Sequence, residues 1–314
     1  NSLATSYNKE EWDTIIDLQG KHIYPGFIAP NSTLGLTEID AVRATRDFNE
    51  VGAFNPHVRT QVAYNVESKV ISTVRTNGVL FTQATPRGGE ISGTSSVMAT
   101  DGWNWEDATI LQDDGIHVNW PSSAVNYNES GKALSKNDEY ERAKKSLYDF
   151  FALSKAYSRG NNEKMDLRLE AMIGCFKGDK RVYLHADDLQ QLNDIIDFAK
   201  QFELNFPVIV GGYDSYLITR LLKDGKIPVM LGRTHSLTEE QAIQSISLNS
   251  CKIMGIDKDY GTIEVGKSAT LFVSEGNALD MRTNQLTLAL IRGEFMSITN
   301  SQKELYEKYQ KKYK

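Results

Sequence analysis

The feature that most restricts the fold of this chain is a series of strand and helix patterns in alternation between residues 181 and 231. Arg181-Val182-Tyr183-Leu184-His185-Ala186 reads as a strand. Behind it Leu189, Leu192, Ile195, Ile196 and Ala199 recur at helical spacing, which turns one apolar stripe toward a sheet. Pro207-Val208-Ile209-Val210-Gly211-Gly212 reads as the next strand, and residues 215–222 as a short helix with Leu217, Ile218, Leu221 and Leu222 apolar. Ile227-Pro228-Val229-Met230-Leu231 makes a third strand. Such alternation is the signature of βα units around a parallel sheet, so an α/β barrel or a doubly wound sheet is expected. Residues 78–84 and 115–120 add two more strands, each entered from a turn-prone residue. Residues 137–157 form a helix by composition and period, its many charges reading as a solvated face.

Composition narrows the function classes. The 314 residues are 24% charged with a net charge of -6, which gives no electrostatic reason to expect nucleic acid or an anionic membrane as partner. No run approaches the roughly 20 apolar residues of a membrane helix. The opening Asn1-Ser2-Leu3-Ala4-Thr5-Ser6 lacks an initiator methionine and the basic and apolar regions of a signal peptide, and reads as a processed or trimmed end. Cys175 and Cys251 are too few for a disulfide framework and are expected in the core. Scarce cysteine with abundant Asn and Tyr leans toward a bacterial periplasmic or other extracytoplasmic setting.

Two motifs carry a resemblance. Tyr24-Pro25-Gly26-Phe27-Ile28-Ala29-Pro30-Asn31-Ser32-Thr33-Leu34-Gly35 resembles the first barrel strand of the amidohydrolase superfamily, nearest its imidazolonepropionase-like branch, where a Pro-Gly-Phe-Ile-Asp stretch runs into a His-X-His metal pair. Tyr260-Gly261-Thr262-Ile263-Glu264-Val265-Gly266-Lys267 and the following residues to Val273 resemble its closing motif, continued by residues 289–295 with a turn at Arg292-Gly293-Glu294. The resemblance implies a (β/α)8 TIM-like barrel over residues 25–255. It also implies a small β-sandwich built from residues 1–24 and 256–300, with 12–23 as a strand-turn-strand entry and 301–314 as a terminal helix or tail. One part of the pattern is missing. After Arg233-Thr234-His235-Ser236-Leu237, a helix opens at once with a capping-box spacing at Thr238 and Gln241 and runs to Gly255. The helix and eighth strand expected between Leu237 and Thr238, with its catalytic aspartate, are not written, so a segment is expected to be absent there.

In the superfamily, metal held by the first-strand histidines, a fourth-strand lysine or glutamate, histidines on strands five and six and an aspartate on strand eight activates a water. Here Asn31 and Thr33 stand for the histidine pair, and amide and hydroxyl oxygens are poor ligands for zinc or iron. Gly211 stands for the sixth-strand histidine, and residues 118–120 offer no lysine. His185 matches the fifth-strand position and is the one remaining ligand, so neither zinc nor another divalent cofactor is expected.

Other chemistry is open to these residues. His185 with Asp187 or Asp188 makes an acid-base pair, since imidazole titrates near neutrality and a carboxylate orients its ring. His117 and His235 also fall at strand ends. The stretch Thr85-Pro86-Arg87-Gly88-Gly89-Glu90-Ile91-Ser92-Gly93-Thr94-Ser95-Ser96 follows a strand and reads as a glycine-rich loop. Arg87, Gly88, Gly89 and Ser92 would hold a carboxylate or phosphate there. Two functions compete: a hydrolase of carbon-nitrogen bonds in cyclic amides or peptide-like substrates with a reduced metal site, and a pseudoenzyme. The pseudoenzyme would bind a small molecule at the barrel mouth, or serve as a homo-oligomeric or paralogous structural partner.

Overall fold

The computed structural model describes residues 13–123, 136–160, 164–232 and 236–313. A seven-stranded sheet follows chain order through β2 (Phe27–Ser32), β3 (Val79–Ala84), β4 (Ile91–Ala99), β5 (Thr109–Asn119), β6 (Arg181–Ala186), β7 (Pro207–Gly211) and β8 (Val229–Leu231), with β1 (His22–Pro25) lying outside it. All six of its pairings would be parallel in a simple βα series, but β4 runs antiparallel to both β3 and β5. The remaining neighbours pair in parallel, each step from β5 onward crossing over through helices as parallel strands require. These crossovers use α2 (Lys136–Arg159), α3 (Leu167–Lys177), α4 (Leu189–Phe202) and α5 (Thr219–Asp224), while α1 (Lys69–Arg75) precedes β3.

The alternation of side chains along each strand sorts two faces. On the outer face Ile116, Leu184 and Ile209 pack with Ile195 and Phe198 of α4 and Phe151 of α2. On the inner face Tyr183, Val208, Val210 and Met230 pack with Ile253 of α7 (Leu248–Met254). The stripe on α4 is the one its spacing predicts, and Asp188 caps it with a full capping box to Gln191. Cys175 and Cys251 are both buried and unpaired, burial pushing each thiol up to about 12.

Several expectations are corrected. Residues 91–96 are not loop: they open β4, which is buried along its whole length. Its small side chains suit a strand squeezed between two neighbours; Ser92, Ser95 and Ser96 find partners across the sheet, and Thr94 donates to the Pro56 carbonyl at 2.8 Å. The helix expected over 238–255 is two, α6 (Glu239–Ser245) and α7, broken at Ile246 and Ser247. Thr238 and Gln241 do form the capping box. Residues 14–18 form no strand, so entry is the turn at Gln19-Gly20 followed by β1. Among the described residues no further strand of this sheet follows β8, and β2 and β8 are the unpaired edges of an open sheet. Only residues 232–238 separate β8 from α6, too short a connection for a helix and a further strand. The free edge of β2 is blunted: Ile28 N–H donates to Ile246 O at 2.8 Å, and Pro30 has no N–H to offer.

In place of a two-layered sandwich the described residues form one four-stranded antiparallel sheet, ordered β1, β9 (Leu271–Ser274), β10 (Leu286–Ile291) and β11 (Glu294–Phe295). The hairpin joining its last two strands turns at Arg292 and Gly293, with φ of 53° and 88°, the left-handed pair that a two-residue turn between twisted strands requires. Phe272 ties this sheet to the larger one. Its ring is fully buried and meets Phe27 edge-on at 4.9 Å and Tyr24 at 5.4 Å. Helix α8 (Ser301–Lys312) ends the described chain, capped by Asn300.

Candidate functional site

A cavity of about 1020 Å³ opens where the sheet fails to close. Pro30 and Asn31 of β2 line one side and Met230 and Gly232 the other, with His185 and Asp187 at the ends of the strands between. It thus lies at the carboxyl ends of parallel strands, where α/β sheets place their ligands.

His185 is partly buried at the end of β6, and its Nε2 lies 2.8 Å from Nδ1 of His117 on β5. His117 is fully buried, stacked on the Tyr183 ring at 4.5 Å and 14°, and its Nε2 lies 2.9 Å from Ser95 Oγ on β4. The Ser95 hydroxyl donates to Asp114 Oδ1 at 2.5 Å. Tyr183 O–H and Gln83 Nε2 donate to the other carboxylate oxygen at 2.7 and 2.9 Å. Gln83 Oε1 in turn accepts the Asn31 backbone N–H at 3.0 Å, which fixes the orientation of the amide. Four adjacent strands and β6 thereby share one buried polar network that ends at the cavity.

The electrostatics follow from burial. Burial pushes the Asp114 carboxyl up, while Ser95, Tyr183, Gln83 and the more distant Arg181 charge pull it back. Burial lowers His117 well below its ordinary value, helped by His185 and Arg87, and brings His185 down to about 4, with Arg87 again contributing. Both imidazoles are neutral at neutral pH.

The predicted residues fall into two groups. His185, Asn31, Gly211 and Asp187 meet at the cavity. Asp187 is exposed, and its Oδ1 is 3.4 Å from Tyr213 N; Asp188 caps α4, accepting Gln191 N–H at 3.0 Å and the Ser123 hydroxyl. The hydrogen-bond partner of His185 among the described residues is therefore another imidazole and not either carboxylate. Arg87 and the exposed Gly88 and Gly89 form the turn between β3 and β4, whereas Ser92 lies within β4, buried, accepting from Asn119 Nδ2 at 3.0 Å. Arg87 spends its guanidinium on Asn31, donating to Oδ1 at 2.8 Å and to the backbone carbonyl at 2.6 Å. Thr33 lies just past the end of β2, partly buried. His235 lies outside the described residues.

Gln83, Ser95, Asp114 and Tyr183 were not foreseen. The only local signal was polar residues at alternating positions inside strands too apolar elsewhere to be exposed. Their convergence depends on pairings between segments up to 69 residues apart.

The profile of the Amidohydrolase family matches residues 106–302. The chain belongs to the amidohydrolase family. No curated protein matches it. An amidohydrolase from Thermotoga maritima MSB8 shares its fold at a TM-score of 0.81 and 20% identity, over 94% of this chain and 92% of that one. An adenosine deaminase from Xanthomonas campestris with bound zinc aligns over 92% of this chain and 84% of its own at 10% identity, with a TM-score of only 0.43.

The metal that this family implies can be tested against the side chains of this amidohydrolase. Asn31 has φ of 47°, a left-handed conformation that Asn tolerates, and a His-X-His pair facing one way would need extended backbone there. Its oxygen holds a guanidinium instead. Gly211 has φ of 97°, and a Cβ there would lie 2.6 Å from Asp187 Oδ1. Among the described residues no three His, Cys, Asp or Glu side chains group as a metal site. The donor set of the described residues, as arranged, does not fit a divalent metal.

Proposed function

We propose that this amidohydrolase is a pseudoenzyme of the imidazolonepropionase-like branch, in which the metal pair has degenerated and the cavity binds a small amide-bearing ligand without metal-dependent turnover. The observation that carries this reading is the Arg87–Asn31 pair: a fixed cation is bonded at the position that the resemblance gives to a first-strand metal ligand. An arginine cannot be deprotonated away to admit a metal, and its charge repels one. The cavity, with His185 and Asn31 on its wall, supports retention of a ligand site after the metal chemistry is gone. The family's chemistry on carbon-nitrogen bonds supports an amide, cyclic or peptide-like, as ligand.

The test is elemental analysis of the purified protein by plasma mass spectrometry, beside a panel of cyclic amides and dipeptides assayed for hydrolysis with and without added zinc and for thermal-shift binding. Substoichiometric metal, no zinc-dependent turnover and a thermal shift with an amide are expected. Stoichiometric metal with chelator-sensitive hydrolysis would sink the reading in favour of an active hydrolase. That second reading has one feature on its side, the neutral imidazole of His185 at the cavity wall.

A further inference from the structure

The hydrogens of the buried network can be counted from its far end. Asp114 lies among three groups: Tyr183 O–H and Gln83 Nε2 at one oxygen, Ser95 at the other. The Gln83 amide is oriented by Asn31 N–H, so its NH₂ faces the carboxylate and donates. Three donors converge on the Asp114 carboxylate, Tyr183 and Gln83 at one oxygen and Ser95 at the other, and this geometry favours the form that only accepts, so the single Ser95 hydroxyl hydrogen points to Asp114. Ser95 Oγ must then accept from His117, which places the hydrogen of His117 on Nε2 and leaves Nδ1 bare. Bare Nδ1 can only accept, so His185 donates from Nε2 and its own Nδ1 is left without a hydrogen. Among the described residues that nitrogen has no protein partner, and His185 lines the cavity.

We propose that Asp114, Ser95 and His117 are positioning residues whose one-way hydrogen-bond order holds His185 as an acceptor toward the cavity, so that the ligand is selected for an N–H or O–H donor. The ligand clause rests on the reading of the cavity as an amide site; the hydrogen order does not. The order has a definite opposite. In Asp114→Asn the side-chain carbonyl is claimed by Tyr183 and Gln83, and the new NH₂ faces Ser95. Ser95 then donates to His117 Nε2, His117 donates from Nδ1 to His185 Nε2, and His185 carries its hydrogen on Nδ1. An isosteric change three side chains away converts the cavity nitrogen from acceptor to donor, in the way that a carboxylate-to-amide change selects the wrong tautomer in a catalytic triad.

Nitrogen NMR of the full chain labelled with 15N-histidine, with His185→Gln for assignment, reads this directly. At pH 7 the protein is expected to show His185 as the Nε2–H form and Asp114→Asn as the Nδ1–H form, with the fold checked by circular dichroism. An Nδ1–H or doubly protonated His185 in the unsubstituted protein, or a folded Asp114→Asn with unchanged His185, overturns the order. If Asp114→Asn does not fold, Ser95→Ala cuts the chain instead: a mixture of His185 tautomers is expected, and a single unchanged tautomer overturns it. Succinimide is expected to shift the His185 Nδ1 resonance and N-methylsuccinimide, which lacks the donor, is not. Equal responses, or none from either, overturn the ligand clause alone. Because the tautomers are read without ligand or turnover, failure of the proposed function and failure of the hydrogen order are separately visible.

Discussion

At the residue scale, the site is governed by burial of groups that would rather be charged. His185 has its pKa lowered in the fold from the ordinary 6.5 to about 4, and His117 is lowered in the same direction by its burial. The unfolded chain therefore takes up these protons first as pH falls. The stability they contribute is complete above about 6.5 and is lost as pH drops below it, the His185 share as pH falls toward about 4. Asp114 works oppositely, since its raised pKa lets the folded protein protonate that carboxyl before the unfolded chain does. Denaturant unfolding at intervals between pH 7 and pH 4 is expected to show a steady loss across that window, shallower in His185→Asn. Parallel curves for the two proteins would mean that the loss originates elsewhere.

At the element scale, short helices depend on their ends. Helix α6 has seven residues and fully buries none of them; Ile243 packs on the cluster around Phe27 and Phe272, and the Thr238 capping box is the other principal support. The helix leads to Ile246, whose carbonyl accepts from the free edge of β2, and its Gln241 and Gln244 line the cavity. Thr238→Ala is expected to cost about 1 kcal/mol in urea unfolding. It should also quicken amide exchange at Ile28, about fivefold if that opening follows the helix. Unchanged protection at Ile28 would show that α6 and the β2 edge open independently. The capping box was legible because its two residues are three apart and act on local backbone. The strand β4 was not, because Ser, Gly and Thr carry no strand period and are held there by neighbours on both sides.

At the scale of the whole molecule, the two sheets share a boundary made of aromatic rings. Phe272 belongs to the four-stranded sheet but is buried with Phe27, Leu80 and Ala99 of the seven-stranded one. Truncating a ring so placed removes contacts from both sheets and leaves a cavity, at a typical cost of about 3–5 kcal/mol. Phe272→Ala is therefore expected to lower the denaturation midpoint in a single cooperative transition, followed by tryptophan fluorescence and circular dichroism together. Two separated transitions would show that the sheets unfold as independent units.

The features legible in the sequence were local in origin. The strand at 181–186, the amphipathic stripe of α4, the cap at Thr238 and the hairpin turn at Arg292-Gly293 each follow from residues within a few positions of one another, where periodicity and backbone preference act directly. So did the nomination of His185, a histidine at a strand end, and the motifs that place the chain among amidohydrolases. Tertiary structure alone decided what His185 meets. Its chain of partners runs through His117, Ser95 and Asp114, and Arg87 reaches Asn31 across 56 residues. Such contacts are set by which strands become neighbours and in what register, and a one-residue slip would turn each side chain to the opposite face of the sheet. The reversal of β4 brought Ser95 between histidine and carboxylate, and the unclosed edge between β2 and β8 made the cavity, because both arise from pairing between distant segments.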